Sequence, residues 1–146
     1  MQKGFDYIGV GVSYYCHDGQ GKYLMNKRGM NCRDEHGCWD FGGGGIDFGD
    51  TVEGTLRKEL KEEYCAENIE YSFIGFNDNF REIDGKKVHW IQFHYLVLVD
   101  PKEIKNGEPH KLDEIGWFAL DKLPSPLHSQ ALPELRLYKD KLPFNQ

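Results

Sequence analysis

The clearest periodicity in the chain lies between Thr51 and Tyr64, where Val52, Leu56 and Leu60 recur at about 100° per residue and predict one apolar stripe of a helix. Asp50 or Thr51 supplies its N-cap, and the weak helix formers Cys65 to Asn68 end it. On that helix Glu59 and Glu63 fall beside Val52 and Leu56, so two carboxylates point toward the packed side. Elsewhere the pattern is that of strands: Phe5 to Tyr15, Lys22 to Asn26, Ile69 to Phe80, Val88 to Val99 and Trp117 to Leu120. Asp18-Gly19-Gln20-Gly21 is a turn between the first two, and Asp84-Gly85 is a hairpin signal between the two long ones. Lys27 to Gly37 is a polar loop, and Ser129 to Leu142 is a terminal helix interrupted by Pro133. Most of Tyr71, Phe73, Phe76, Phe80, Trp90, Phe93 and Tyr95 are expected in the core, with one or two free to stack on a base. His89 and His94 are expected to be structural or exposed.

Chemistry enters with the glutamates. Glu59, Glu62 and Glu63 stand at i, i+3 and i+4, where like charges repel by roughly 0.2–0.5 kcal/mol per pair. They also occupy the C-terminal half of the helix, where the macrodipole disfavours anions. A partly buried carboxylate must be paired, protonated or bound to metal. Mg²⁺ meets these demands, since carboxylates plus substrate phosphates are its usual shell, and Mn²⁺ is the alternative. The competing account is a solvated amphipathic helix, because Arg57, Lys58 and Lys61 are interleaved with the acids. The loop Gly42-Gly43-Gly44-Gly45-Ile46-Asp47-Phe48-Gly49-Asp50, at a fixed distance upstream, favours phosphate chemistry.

Taken as one pattern, Gly44, five residues, Asp50, seven residues, then Lys58-Glu59-Leu60-Lys61-Glu62-Glu63 and Cys65-Ala66 resembles the signature of the Nudix hydrolases. Trp39-Asp40-Phe41, Lys27-Arg28, Asp113-Glu114-Ile115-Gly116-Trp117-Phe118 and Leu123-Pro124 extend the likeness over most of the chain. Three residues depart from it: Asp50 stands for Glu, Lys58 for Arg and Cys65 for Gly. Lysine offers a point charge instead of a planar fork, and Cys65 removes the residue best suited to a left-handed helix end.

The resemblance implies an α/β Nudix fold, a mixed β-sheet sandwiched between α-helices, and a single domain over residues 1–146. It implies a metal site of Glu59, Glu62 and Glu63 with the Gly43 carbonyl, and Lys58 as the residue that orients Glu59. The general base is one of those glutamates or a downstream acid, for which Glu114 is preferred over Glu108 and Asp113. Lys27 and Arg28 would hold distal phosphates beside Gly43 and Gly44, and His128 lies where relatives contact the nucleobase. The expected reaction is hydrolysis of a nucleoside triphosphate, including oxidised or modified ones, to monophosphate and pyrophosphate. Nucleotide sugars, ADP-ribose, dinucleoside polyphosphates and a non-catalytic nucleotide sensor remain open.

Composition narrows the partners. A chain of 146 residues suffices for one sizeable core, and a formal net charge of -6 argues against a nucleic-acid polymer. The N-terminal residues lack the apolar run of a signal peptide and no segment is apolar enough to span a bilayer, so no membrane partner and a cytoplasmic location are expected. A homodimer is left open. The four cysteines, including Cys32 and Cys38, lack a close Cys-x-x-Cys pair, which favours free thiols over a zinc site.

Overall fold

The computed structural model describes residues 1–143. Its central strand, β1 (Gly9–His17), is apolar on both faces, as a strand covered on two sides must be. It pairs in parallel with β6 (Lys86–Val99), and antiparallel with β2 (Tyr23–Arg28) and the short β4 (Gly43–Gly45). β2 carries β3 (Trp39–Asp40) and β7 (Leu112–Phe118), while β5 (Ile69–Ile83) pairs with β6 at the far edge. Alternation along β1 builds two cores. Val12, Tyr14 and Cys16 pack with Leu56, Leu60 and Tyr64 of α1 (Val52–Tyr64). Tyr15 joins Ile74, Leu135 and Tyr138 on the opposite side, beneath α2 (Ala131–Tyr138). The result is the mixed sheet between helices that the resemblance implies.

α1 is fixed at both ends. The Thr51 side chain accepts from the Gly54 N–H at 2.9 Å, so Thr51 and not Asp50 is the N-cap. At the other end Cys65 adopts φ 59°, and the N–H groups of Cys65 and Ala66 close onto the carbonyls of Lys61 and Leu60. Leu56 and Leu60 are fully buried, each worth about 2 kcal/mol in apolar burial. They anchor the helix so that Glu59 and Glu63 meet the glycine loop.

Several expectations need correction. β1 starts at Gly9 because residues 4–7 form a turn, closed by Gly4 N–H to Tyr7 O at 2.7 Å. The strand expected at Trp117 begins at Leu112, paired with β2, so Glu114 lies on a strand and not in a loop. Pro133 does not interrupt α2; it sits in the first turn, where its missing N–H has no intrahelical partner to lose. Phe73, Phe76 and Phe80 are 52%, 64% and 69% exposed, because the edge strand β5 runs out beyond the helices that cover the sheet. No helix among the described residues is long and apolar enough to cross a membrane.

Candidate active site

The site is built where α1 crosses the glycine strand β4. A Cβ on Gly44 would lie 2.3 Å from Glu59 Cδ, and one on Gly42 would lie 2.6 Å from the Tyr14 ring and 2.9 Å from Glu63 Oε1. Only glycine therefore lets the helix carboxylates approach the loop backbone this closely. Glu63 Oε1 accepts from the Tyr14 hydroxyl and, at 3.3 Å, from the Gly43 N–H. Burial, with the charge of Glu108 added, pushes the Glu63 carboxyl up to about 8, against opposing pulls from Gly43 N–H and Lys111. Burial and the neighbouring Glu62 raise Glu59 to about 7, against the pull of Lys58.

A second loop completes this end. Lys105 N–H donates to Tyr64 O at 3.1 Å and Gly107 N–H to Glu63 O at 2.9 Å, occupying carbonyls that the end of α1 leaves free. That docking carries Glu108 and Lys111 to the cavity wall. The cavity, about 620 Å³, is also lined by Gly43, Gly44, Glu59, Glu63, Arg28 and His128, and its size is that of a small-molecule site. Lys58 and Glu62 are exposed and act on Glu59 through their charges.

Two expected site residues go elsewhere. Lys27 and Glu114 are register partners on β2 and β7, with Nζ 3.9 Å from Oε2, and neither lines the cavity. Side chains alternate along β2, so Asn26 and Arg28 turn to the cavity and Lys27 turns away. Arg28 does line it, but its guanidinium is held by Asp34: Nη2 to Oδ1 and Nε to the carbonyl, both at 3.0 Å. Arg81, which sequence reasoning did not single out, bridges Asp34 at 3.0 Å and Glu35 at 2.8 Å. His128 Nδ1 accepts from Gln130 N–H at 3.1 Å, which leaves Nε2 to donate to Glu35 at 2.8 Å.

Among the described residues, the one trio of ligand-type atoms within 4.8 Å of one another is Asp34, Glu35 and His128. Its carboxylates are already engaged by arginines, so it is an ion-pair network, and it includes no cysteine. The α1 acids are different. Glu59 and Glu63 are hard oxygen donors held ionisable in a buried place, with Glu108 repelling both. Such a donor set fits a divalent cation of the Mg²⁺ type. Sequence reasoning missed Tyr14 and Lys111. Tyr14 is hidden in a continuous apolar strand, and Lys111 is one charge in a polar loop.

This fold and site define a mixed-sheet sandwich in which a glycine strand and an acidic helix pack face to face. The NUDIX domain matches residues 8–140, and the chain belongs to that family. A MutT NUDIX hydrolase from Burkholderia pseudomallei superposes with a TM-score of 0.77 at 29% identity, covering 90% of this chain and 98% of that one. An oxidized purine nucleoside triphosphate hydrolase from Danio rerio is 33% identical over 110 residues, 68% of this chain and 58% of that protein. The nucleoside triphosphatase NudI from an Enterobacter species is 27% identical over 111 residues, covering 70% and 77%. A Mycobacterium tuberculosis relative, 30% identical over 89 residues, is matched over 61% of this chain and only 36% of its own length. The chain thus spans less than two thirds of some of the curated relatives that it matches.

Proposed function

We propose that the protein is a Mg²⁺-dependent pyrophosphohydrolase that converts a nucleoside triphosphate to a monophosphate and pyrophosphate. One observation carries this: Glu59 and Glu63, both half-buried, pack against the Gly42–Gly44 backbone inside a cavity that Arg28 and Lys111 also line. Triphosphatase names among the relatives support the substrate class.

Glu59 and Glu63, with the exposed Glu62 one turn along the same helix, would hold the cation, which when bound neutralises phosphate charge and lowers the pKa of water. Lys111 would counter the charge of the distal phosphates, and Arg28 has only the Nη1 that Asp34 leaves free to add to it. Water attacks phosphorus, the bridging P–O bond breaks, and pyrophosphate leaves with the electron pair. Glu108 replaces Glu114 as the acid assigned to take the proton of that water, since it stands at the cavity wall and Glu114 does not. Product analysis of a triphosphate panel, with Mg²⁺ or with EDTA, tests this reading. Monophosphate and pyrophosphate in Mg²⁺ alone are the expected products, and nucleotide binding without turnover would overturn it in favour of a sensor.

A further inference from the structure

The cavity floor continues away from the acidic helix onto β6 and β5, where the pairing register places polar side chains in rows. Gly9, Trp90 and Asn79 form one row, Gly11, Gln92 and Asn77 the next, and Ser13, His94 and Gly75 a third. Gly9 and Gly11 contribute no side chain, so Trp90 and Gln92 spread over them. A Cβ on Gly9 would lie 2.6 Å from the Trp90 ring and one on Gly11 would lie 2.8 Å from Gln92 Oε1. α2 covers the third row and lowers Glu134 onto it, with its side chain only 12% exposed.

Glu134 is poorly served by its protein neighbours. Its Oε2 lies 3.2 Å from Nε2 of the fully buried His94, yet neither ring nitrogen of His94 makes a hydrogen bond. Among the described residues its carboxylate accepts one hydrogen bond, a long one of 3.5 Å from Asn77 Nδ2. Asn77 is itself spent, donating to Asn79 Oδ1 at 2.9 Å and accepting from the Tyr138 hydroxyl at 2.8 Å. Gln92 Oε1 accepts from the Ser13 hydroxyl at 3.2 Å. A carboxylate withdrawn from water without donors is costly. At this end of the cavity, beneath α2, that leaves the Glu134 carboxylate as an acceptor short of donors and the amide donors of Asn79 and Gln92, all three of which line the cavity.

We propose that Glu134, Asn79 and Gln92 form the subsite that reads the nucleotide base, and that the base presents the hydrogen-bonding edge of guanine. The inference rests on the nucleotide reading above. Guanine offers two adjacent N–H donors, N1–H and N2–H₂, to one carboxylate, and an O6 acceptor beside them for an amide donor. Adenine and cytosine offer one amino group next to a ring lone pair, which the carboxylate repels. Uracil and thymine offer a single N–H flanked by two carbonyls. A guanine modified away from this edge keeps the match.

Calorimetric titration of the full chain in Mg²⁺ with GTP, ATP, CTP and UTP, each as its α,β-methylene analogue, reads the base preference without hydrolysis. GTP is expected to bind at least about tenfold more tightly than the others. Glu134→Gln is expected to weaken GTP about tenfold or more while moving ATP by less than about threefold, since an amide pairs one donor and one acceptor. Equal affinity for all four bases, or an undiminished GTP preference in Glu134→Gln, would overturn the proposal. If melting shows that this variant does not fold, Asn79→Ala and Gln92→Ala take its place. A GTP-selective loss supports the subsite, and a uniform or absent one removes it. Turnover in Mg²⁺ is measured separately: base preference without turnover defeats the hydrolase reading and leaves the subsite standing, and turnover without preference does the reverse.

Discussion

Glu63 answers to two demands, packing beneath the glycine strand and carrying charge into the cavity. Replacing it with glutamine keeps the volume and an acceptor for the Tyr14 hydroxyl but removes the charge. Glu63→Gln is therefore expected to lose at least ~99% of turnover, measured as pyrophosphate release, with an unchanged near-UV spectrum. A near-wild-type rate would remove Glu63 from the site. The same burial makes stability depend on pH. Glu63 and Glu59 titrate at about 8 and about 7 in the folded protein, against an ordinary 4.5. A carboxyl raised in this way binds more protons folded than unfolded. Its contribution to stability is complete below the unfolded value and falls away as pH rises through the folded one. Metal-free protein should lose melting temperature steadily from about pH 5 to about pH 8, and Glu63→Gln should flatten that slope. Saturating Mg²⁺ should restore the alkaline loss, because it binds the ionised acids. A flat profile in the wild type would contradict the buried acids.

At the scale of elements, α1 ends on a left-handed Cys65, a conformation that costs a side chain about 1–2 kcal/mol and that glycine adopts freely. Cys65→Gly should raise stability by about 1 kcal/mol, a shift of about 2–4 °C in melting temperature, without altering the helix. No gain would mean that the half-buried thiol repays the strain by packing. This helix was also the most legible part of the sequence. Its stripe of Val52, Leu56 and Leu60 fixes which face is buried, and the spacing to Gly44 fixes what Glu59 meets. Glu114 and Lys27 were misplaced for a definite reason: whether a residue lies on a strand, and on which face, depends on a partner distant in sequence, here β2 against β7. The same holds for Phe73, Phe76 and Phe80, whose exposure follows from the edge position of β5, which composition does not encode.

Across the whole molecule, distant segments are tied at the cavity wall by Asp34 and Glu35. Arg28 comes from β2, Arg81 from β5, and His128 and Ser129 from the segment before α2. Glu35 alone accepts from Arg81 and His128 at 2.8 Å each, and from the Ser129 N–H and hydroxyl at 2.6 and 2.9 Å. Its side chain is 20% exposed, as is that of Arg81, so water replaces these bonds poorly. Glu35→Gln keeps the size and one acceptor but turns an NH₂ group toward donors. We expect it to cost about 2 kcal/mol in urea denaturation, where an isolated surface pair would cost under about 1 kcal/mol. Because the tied segments line the cavity, KM for a triphosphate should rise while kcat changes little. Arg81→Ala should cost a similar amount. The double variant should fall well short of the sum, since both changes break one network. Additive losses would mean that Glu35 and Arg81 act independently, and that the wall is held by the packing of Trp39, Ala131 and Leu135 instead.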